Sequence, residues 1–192
     1  MSGYTIALFF HVSGAIGYFV SSGTRVFTLA SLRRAQRVEQ VRIIANIDRW
    51  VGPLFGISLL LILVTGLSMA LTAWSLQTSW ISVALISLIV MAPFGAALME
   101  PRRRAIEHLA QATPDGPIPE TLARRIHDPV LRTSIQTLPL LLLGIVFLMT
   151  TKPSVIGSII VMAIALVLGL ASGLLPAGRP GQQLAPPSVN PE

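Results

Sequence analysis

Residues 50–99 read WVGPLFGISLLLILVTGLSMALTAWSLQTSWISVALISLIVMAPFGAALM, without one Asp, Glu, Lys, Arg or His. About 20 apolar residues in a helix cross the hydrocarbon core of a bilayer. This stretch is long enough for two crossings, and Trp74 and Trp80 bracket the short polar turn around Gln77 that separates them. Working outward, residues 4–24 hold only His11 among Asp, Glu, Lys, Arg and His, and residues 133–151 and 153–178 carry no charge at all. The chain therefore reads as an all-α polytopic membrane helical bundle. Its five transmembrane helices fall at about 4–30, 51–73, 80–99, 134–150 and 154–175. These form a single domain over 1–176, and the Pro-rich stretch 177–192 reads as a disordered cytoplasmic tail. The first segment lacks a basic n-region and outlasts a signal h-region, so it reads as a retained span.

The composition agrees. Of 192 residues, 53% are hydrophobic and 11% charged, against about a quarter charged in soluble domains. An ordinary soluble enzyme is excluded. With no cysteine, so are a disulfide-stapled domain and any thiolate site. The formal net charge of +6 does not mark a nucleic-acid partner, because of where the charge lies. Arg25, Arg33, Arg34, Arg37, Arg42 and Arg49 lie at the end of the first span and in the loop after it, and Arg102, Arg103, Arg104, Arg124, Arg125 and Arg132 follow the third. The intervening connections carry only Lys152. Under the positive-inside rule both basic loops are cytoplasmic, the N-terminus is outside and the C-terminus inside. The expected location is a bacterial inner (plasma) membrane, multi-pass, with the lipid bilayer itself as the main partner.

Between the spans, residues 32–49 alternate arginines with Val38, Val41, Ile44 and Ile47, the pattern of an interfacial helix with its apolar side in the acyl boundary. Residues 101–111 extend the third span, prolines break the chain at 113–119, and a short helix at 120–126 leads to a cap at Asp128-Pro129. Small residues form stripes at Ser13/Gly17/Ser21, Gly52/Gly56 and Ala165/Gly169/Gly173. They suit close helix packing within the bundle, or a homodimer seam through the fifth span. Pro93 and Pro139 should kink the third and fourth spans.

An ionisable group within the membrane is where function is sought first. His11 lies about 10 Å below the outer end of its helix, and at seven-residue spacing Tyr18 and Arg25 share its face, with Ser22 between the last two. Arg25 reads as an anchor snorkelling to the inner surface, with Asp48 or Glu100 as partner. Neutral imidazole suits haem iron or another metal, and a thioether is a known second ligand to haem and suits Cu(I). Met69, Met149 and Met162 fall at compatible depths in the outer half. The alternative for His11 is a neutral ring donating to a helix carbonyl. No second membrane His exists for a bis-His haem in one protomer, though two His11 rings of a dimer could clasp one. No Asp or Glu lies inside a span, which argues against proton-driven transport. No catalytic set, phosphate loop or HExxH is present.

Three segments carry a family resemblance: FFHVSGAIGYFV, IDRWVGPLFG with LVTGLSMAL, and SWISVALISLIVMAPFGAALMEPRRR. Together they resemble an uncharacterised family of bacterial integral membrane proteins, a domain of unknown function. That family is distantly similar to the membrane domain of the copper-resistance protein CopD and to HemJ, the haem-associated protoporphyrinogen oxidase. The resemblance implies haem binding at His11. It supplies no match for the membrane lysine of HemJ-like proteins, since Lys152 is the sole lysine and lies in an outer turn. The expectation is thus a protein that holds one b-type haem through His11 for electron transfer or redox sensing. The alternatives are a cofactor-free scaffold binding partners or anionic lipid through its arginine-rich surfaces, or a copper-handling permease-like protein.

Overall fold

The computed structural model describes residues 2–174; the tail 177–192 lies outside them. Seven α-helices follow in order: α1 (Gly3–Leu32), α2 (Val38–Thr72), α3 (Ser79–Phe94), α4 (Glu100–Ala112), α5 (Glu120–Ile126), α6 (Pro129–Thr151) and α7 (Val155–Leu174). A five-residue π segment, Gly95–Met99, joins α3 to α4 without a break. No strand occurs among the described residues. Five helical stretches are long and apolar enough to cross a membrane: Gly3–Leu32, Val38–Thr72, Ser79–Ala112, Glu120–Thr151 and Val155–Leu174. Side chains such as Phe27, Ile156, Val167 and Trp50 lie exposed on their outer faces, as helices surrounded by lipid require.

Local chemistry sets the ends. Ser2 caps α1 by accepting from the Thr5 amide at 3.3 Å, and Asp128 caps α6 by accepting from Val130 at 2.8 Å, with Pro129 in the first turn. Pro93 cannot donate to the carbonyl one turn back, and the helix widens into its π turn two residues later. Lys152 closes α6 in the left-handed conformation. Its ammonium lies 4.6 Å from the centroid of Trp74, which meets Trp80 edge-on at 5.4 Å. This aromatic end is opposite the arginine-rich basic end.

The segment expected to lie flat on the membrane does not. Residues 38–49 are the first turns of α2, continuous with the span through Pro53. Val38 and Val41 are fully buried, in one cluster with Ile106, Ala110, Leu122 and Ile126. Their helical spacing serves packing against α4 and α5 instead of the acyl boundary. Arg42 locks the connection after α4 by donating to Ala110 O at 2.8 Å, to Thr113 O, and to Asp115 at 2.5 Å. Glu39 accepts from Arg37 at 2.8 Å and from the Gly116 amide. The hydrogen bonds from Arg37 pull its carboxyl down to about 2.

The helices pair chiefly as α1 with α2 and α6 with α7. Gly14 and Gly17 let α1 close on Ser58, Leu61 and Ile62 of α2. A Cβ at Gly169 would come within 2.8 Å of Thr137 Cα, and one at Gly173 within 2.6 Å of Thr133 Cα. The α1 and α7 stripes are therefore occupied within the chain, and a second copy would have to meet other faces.

Candidate functional site

Arg25 does not snorkel. It sits on the buried face of α1 with Tyr18, Ser22 and Thr28, and is only 4% exposed. Its guanidinium lies 4.3 Å from the centroid of Phe55 on α2, and Phe55 in turn meets Tyr18 at 4.6 Å. Arg25 Nη1 reaches Met99 Sδ, a weak acceptor, at 3.9 Å, and Nε has no partner. The cation-π contact offsets part of the cost of burying the charge, but among the described residues no carboxylate lies within ion-pair distance of it.

The expected partners are taken. Arg103, on α4, donates Nε to Asp48 Oδ2, Nη2 to Asp48 O at 2.9 Å and Nη1 to Glu100 Oε2 at 2.8 Å. Arg104 holds the other oxygen of Glu100 at 3.0 Å, and Arg49 meets Glu107 at 3.5 Å. Sequence reasoning paired Arg25 with Asp48 or Glu100 and overlooked Arg103, although the Glu100–Arg103 spacing of three along a helix was available as a signal. Phe55 gave no such signal.

These groups surround a cavity of about 640 Å³ at the basic end, between α1, α2, α3 with its π segment, α4 and α6. Arg25 lies on its wall with Leu29, Leu59 and Ile135, while Asp48, Glu100 and Arg103 contribute the polar side. Pro53, Gly56 and Ala96 border it on the exposed surface of α2 and the π segment. A second void of about 10 Å³ lies beside Arg25 among Ser22, Phe55, Met99 and Pro139, enough for about one water. Four arginines and three carboxylates line the larger cavity. Three of the arginines are paired, and Arg25 is the surplus charge.

His11 lies elsewhere, towards the aromatic end. Its Nδ1 is 3.1 Å from Ile62 O and 3.2 Å from Thr65 Oγ1. The Thr65 hydroxyl donates to Leu61 O at 2.5 Å, so both neighbours accept and Nδ1 carries the proton. Nε2 then keeps its lone pair. Gly66 makes room for the ring: a Cβ there would meet His11 Cε1 at 3.0 Å. Met149 and Met162 pack both on a cluster of Ala70, Trp80, Ile81 and Leu148 and on the main core that includes Ile62, and Met69 is buried on α2, one turn from Thr65. No group of three or more His, Asp or Glu side chains able to hold a metal occurs among the described residues. Tyr18, by contrast, does share the buried face with Arg25.

Five apolar helices, four of them bordering a cavity with a charged rim at one end, define a multi-pass integral membrane protein. The chain belongs to the family described as "Predicted integral membrane protein (DUF2269)", whose model matches residues 5–153. No curated protein matches it, and no solved structure does.

Proposed function

We propose that the protein is a cofactor-independent membrane receptor for an anionic amphiphile, which it binds in the cavity at the basic end. The observation behind this reading is Arg25, a buried and unpaired guanidinium on the wall of a 640 Å³ cavity. A planar guanidinium matches phosphate or carboxylate oxygens, and pairing a desolvated charge is worth more than pairing an exposed one. The mixture of an apolar wall with a charged mouth suits a ligand with a tail and a headgroup. By the positive-inside rule the basic end faces the cytoplasm of a bacterial inner membrane. Arg25→Gln should lower the anionic lipid retained per chain after detergent exchange by about tenfold or more, with the thermal melt checked for folding. Retention equal to the wild type would refute the proposal.

A second reading rests on His11. Its Nδ1–H is held by α2 and Nε2 keeps a lone pair, the arrangement in which a helix carbonyl orients a ligating imidazole. The ring fits as one ligand to a b-type haem, with electron transfer or redox sensing as the function. The other axial position would fall to Met69, Met149 or Met162, or to His11 of a second copy. Copper, which would want a set of His and Met ligands, is less well supplied. Protein purified from haem-replete cells should then show a Soret band that His11→Ala abolishes. A colourless wild-type preparation would overturn this reading and leave the first untouched.

A further inference from the structure

We infer that the ligand of the Arg25 cavity is a lipid whose phosphodiester carries a single negative charge and whose headgroup also donates a hydrogen bond, which Asp48 Oδ1 accepts. This rests on the anion-binding reading above and adds the ligand's second pole, its charge and its route of entry.

Asp48 is 8% exposed and lines the same cavity as Arg25. Its Oδ2 and its main-chain oxygen are taken by Arg103, but Oδ1 is buried with no partner. A buried acceptor left unpaired is costly, and more so when charged. Arg103 already neutralises the carboxylate, so Oδ1 needs a donor and not necessarily a second cation: an ammonium or a hydroxyl serves. On the opposite account stands Arg25 Nε, a buried donor without an acceptor. One molecule carrying both an anionic oxygen and a donor would satisfy the two orphans together once their side chains turn towards the cavity that both residues line.

Charge sets the class of anion. Arg103 pairs with Asp48, Arg104 with Glu100 and Arg49 with Glu107. That leaves one positive charge, on Arg25. A phosphodiester balances it, whereas a phosphomonoester near neutral pH brings about 1.5 to 2 negative charges. The surface sets the source. Pro53, Gly56 and Ala96 border the cavity at exposed positions on the spans themselves. The cavity thus has an edge of small groups on the spans besides its charged edge at Arg49 and Arg104, and the inferred entry is through the former, sideways from the bilayer.

The test is native mass spectrometry of the detergent-purified full chain with phosphatidylethanolamine, its mono- and dimethylated forms, phosphatidylcholine, phosphatidylglycerol and phosphatidic acid. Every lipid but the last is a phosphodiester; only phosphatidylcholine lacks a headgroup donor. Retention should persist through dimethylation and fall about tenfold at phosphatidylcholine, with phosphatidylglycerol on the retained side. Arg25→Gln should weaken all of them. Asp48→Asn, whose amide oxygen would turn to Arg103 and present NH2 at the Oδ1 position, should bring phosphatidylcholine to parity with phosphatidylethanolamine. If phosphatidylcholine binds as well as the others, all through Arg25, the donor inference falls and the anion reading stands. If no lipid depends on Arg25, both fall. Preference for phosphatidic acid would overturn the single-charge argument. Displacement of lipid by free glycerophosphoethanolamine at comparable concentration would overturn entry from the bilayer.

Discussion

Arg103→Ala lowers the stability of the bundle by about 3–5 kcal/mol, the expected cost of removing one partner from a buried ion pair. The Arg103 side chain is 10% exposed and that of Asp48 11%, so water can do little to replace the lost partner. The change strands Asp48 Oδ2 and one oxygen of Glu100 and removes the extra donor from the Asp48 carbonyl. Glu100 is about a third exposed and contributes less. Removing the carboxylate as well separates mispairing from simple loss of contact: Arg103→Leu with Asp48→Asn should recover a substantial part of the stability. Chemical unfolding in mixed detergent micelles, followed by tryptophan fluorescence, measures both. A single-variant loss below about 1 kcal/mol, the range of exposed surface pairs, would mean the network is solvated in the membrane protein.

The second large effect is expected at the α6–α7 seam. Gly173→Ala adds a Cβ that would lie 2.6 Å from Thr133 Cα, and Gly169→Ala one at 2.8 Å from Thr137 Cα. In an open helix the same change is favourable by about 0.5–1 kcal/mol. Here the obstacle is main chain, which cannot rotate aside, so the helices must separate. Overpacking of this kind costs about 1–3 kcal/mol, and the balance is a net loss at each site. Gly23→Ala supplies the comparison, since nothing lies within 4 Å of its added carbon, and it should be neutral or slightly stabilising. The same unfolding measurement decides. Equal behaviour of all three variants would show that α7 does not seat on α6 through these glycines.

The membrane spans were legible because charge is so costly in hydrocarbon that its absence over 50–99 permits little else. The capping residues were legible too: Asp128-Pro129 begins α6 as its chemistry requires. The cavity was not. Counting residues along a helix gives depth well and azimuth poorly. The π segment worsens this, because the wider turn shifts the angular phase of everything after it. Extrapolating the register of residues 80–94 therefore cannot tell which of Arg102, Arg103 and Arg104 turns inward. The methionines illustrate the same limit: depth alone could not place Met149 and Met162 against Trp80 and Leu148. Val38 and Val41 show another. Their spacing marks an apolar face truthfully, yet lipid and protein are equally acceptable neighbours for it, and only the fold brings Ile106 and Leu122 alongside.

The small residues at the cavity's edge, Pro53, Gly56 and Ala96, also bear on how occupancy would be controlled. A ligand that arrives through such an edge never leaves the plane of the membrane, so it meets the protein by two-dimensional diffusion. What governs binding is then its mole fraction among the surrounding lipids. Diluting a vesicle suspension would leave the bound fraction unchanged, while altering the lipid mixture would reset it. The cavity would thus report the make-up of its own bilayer.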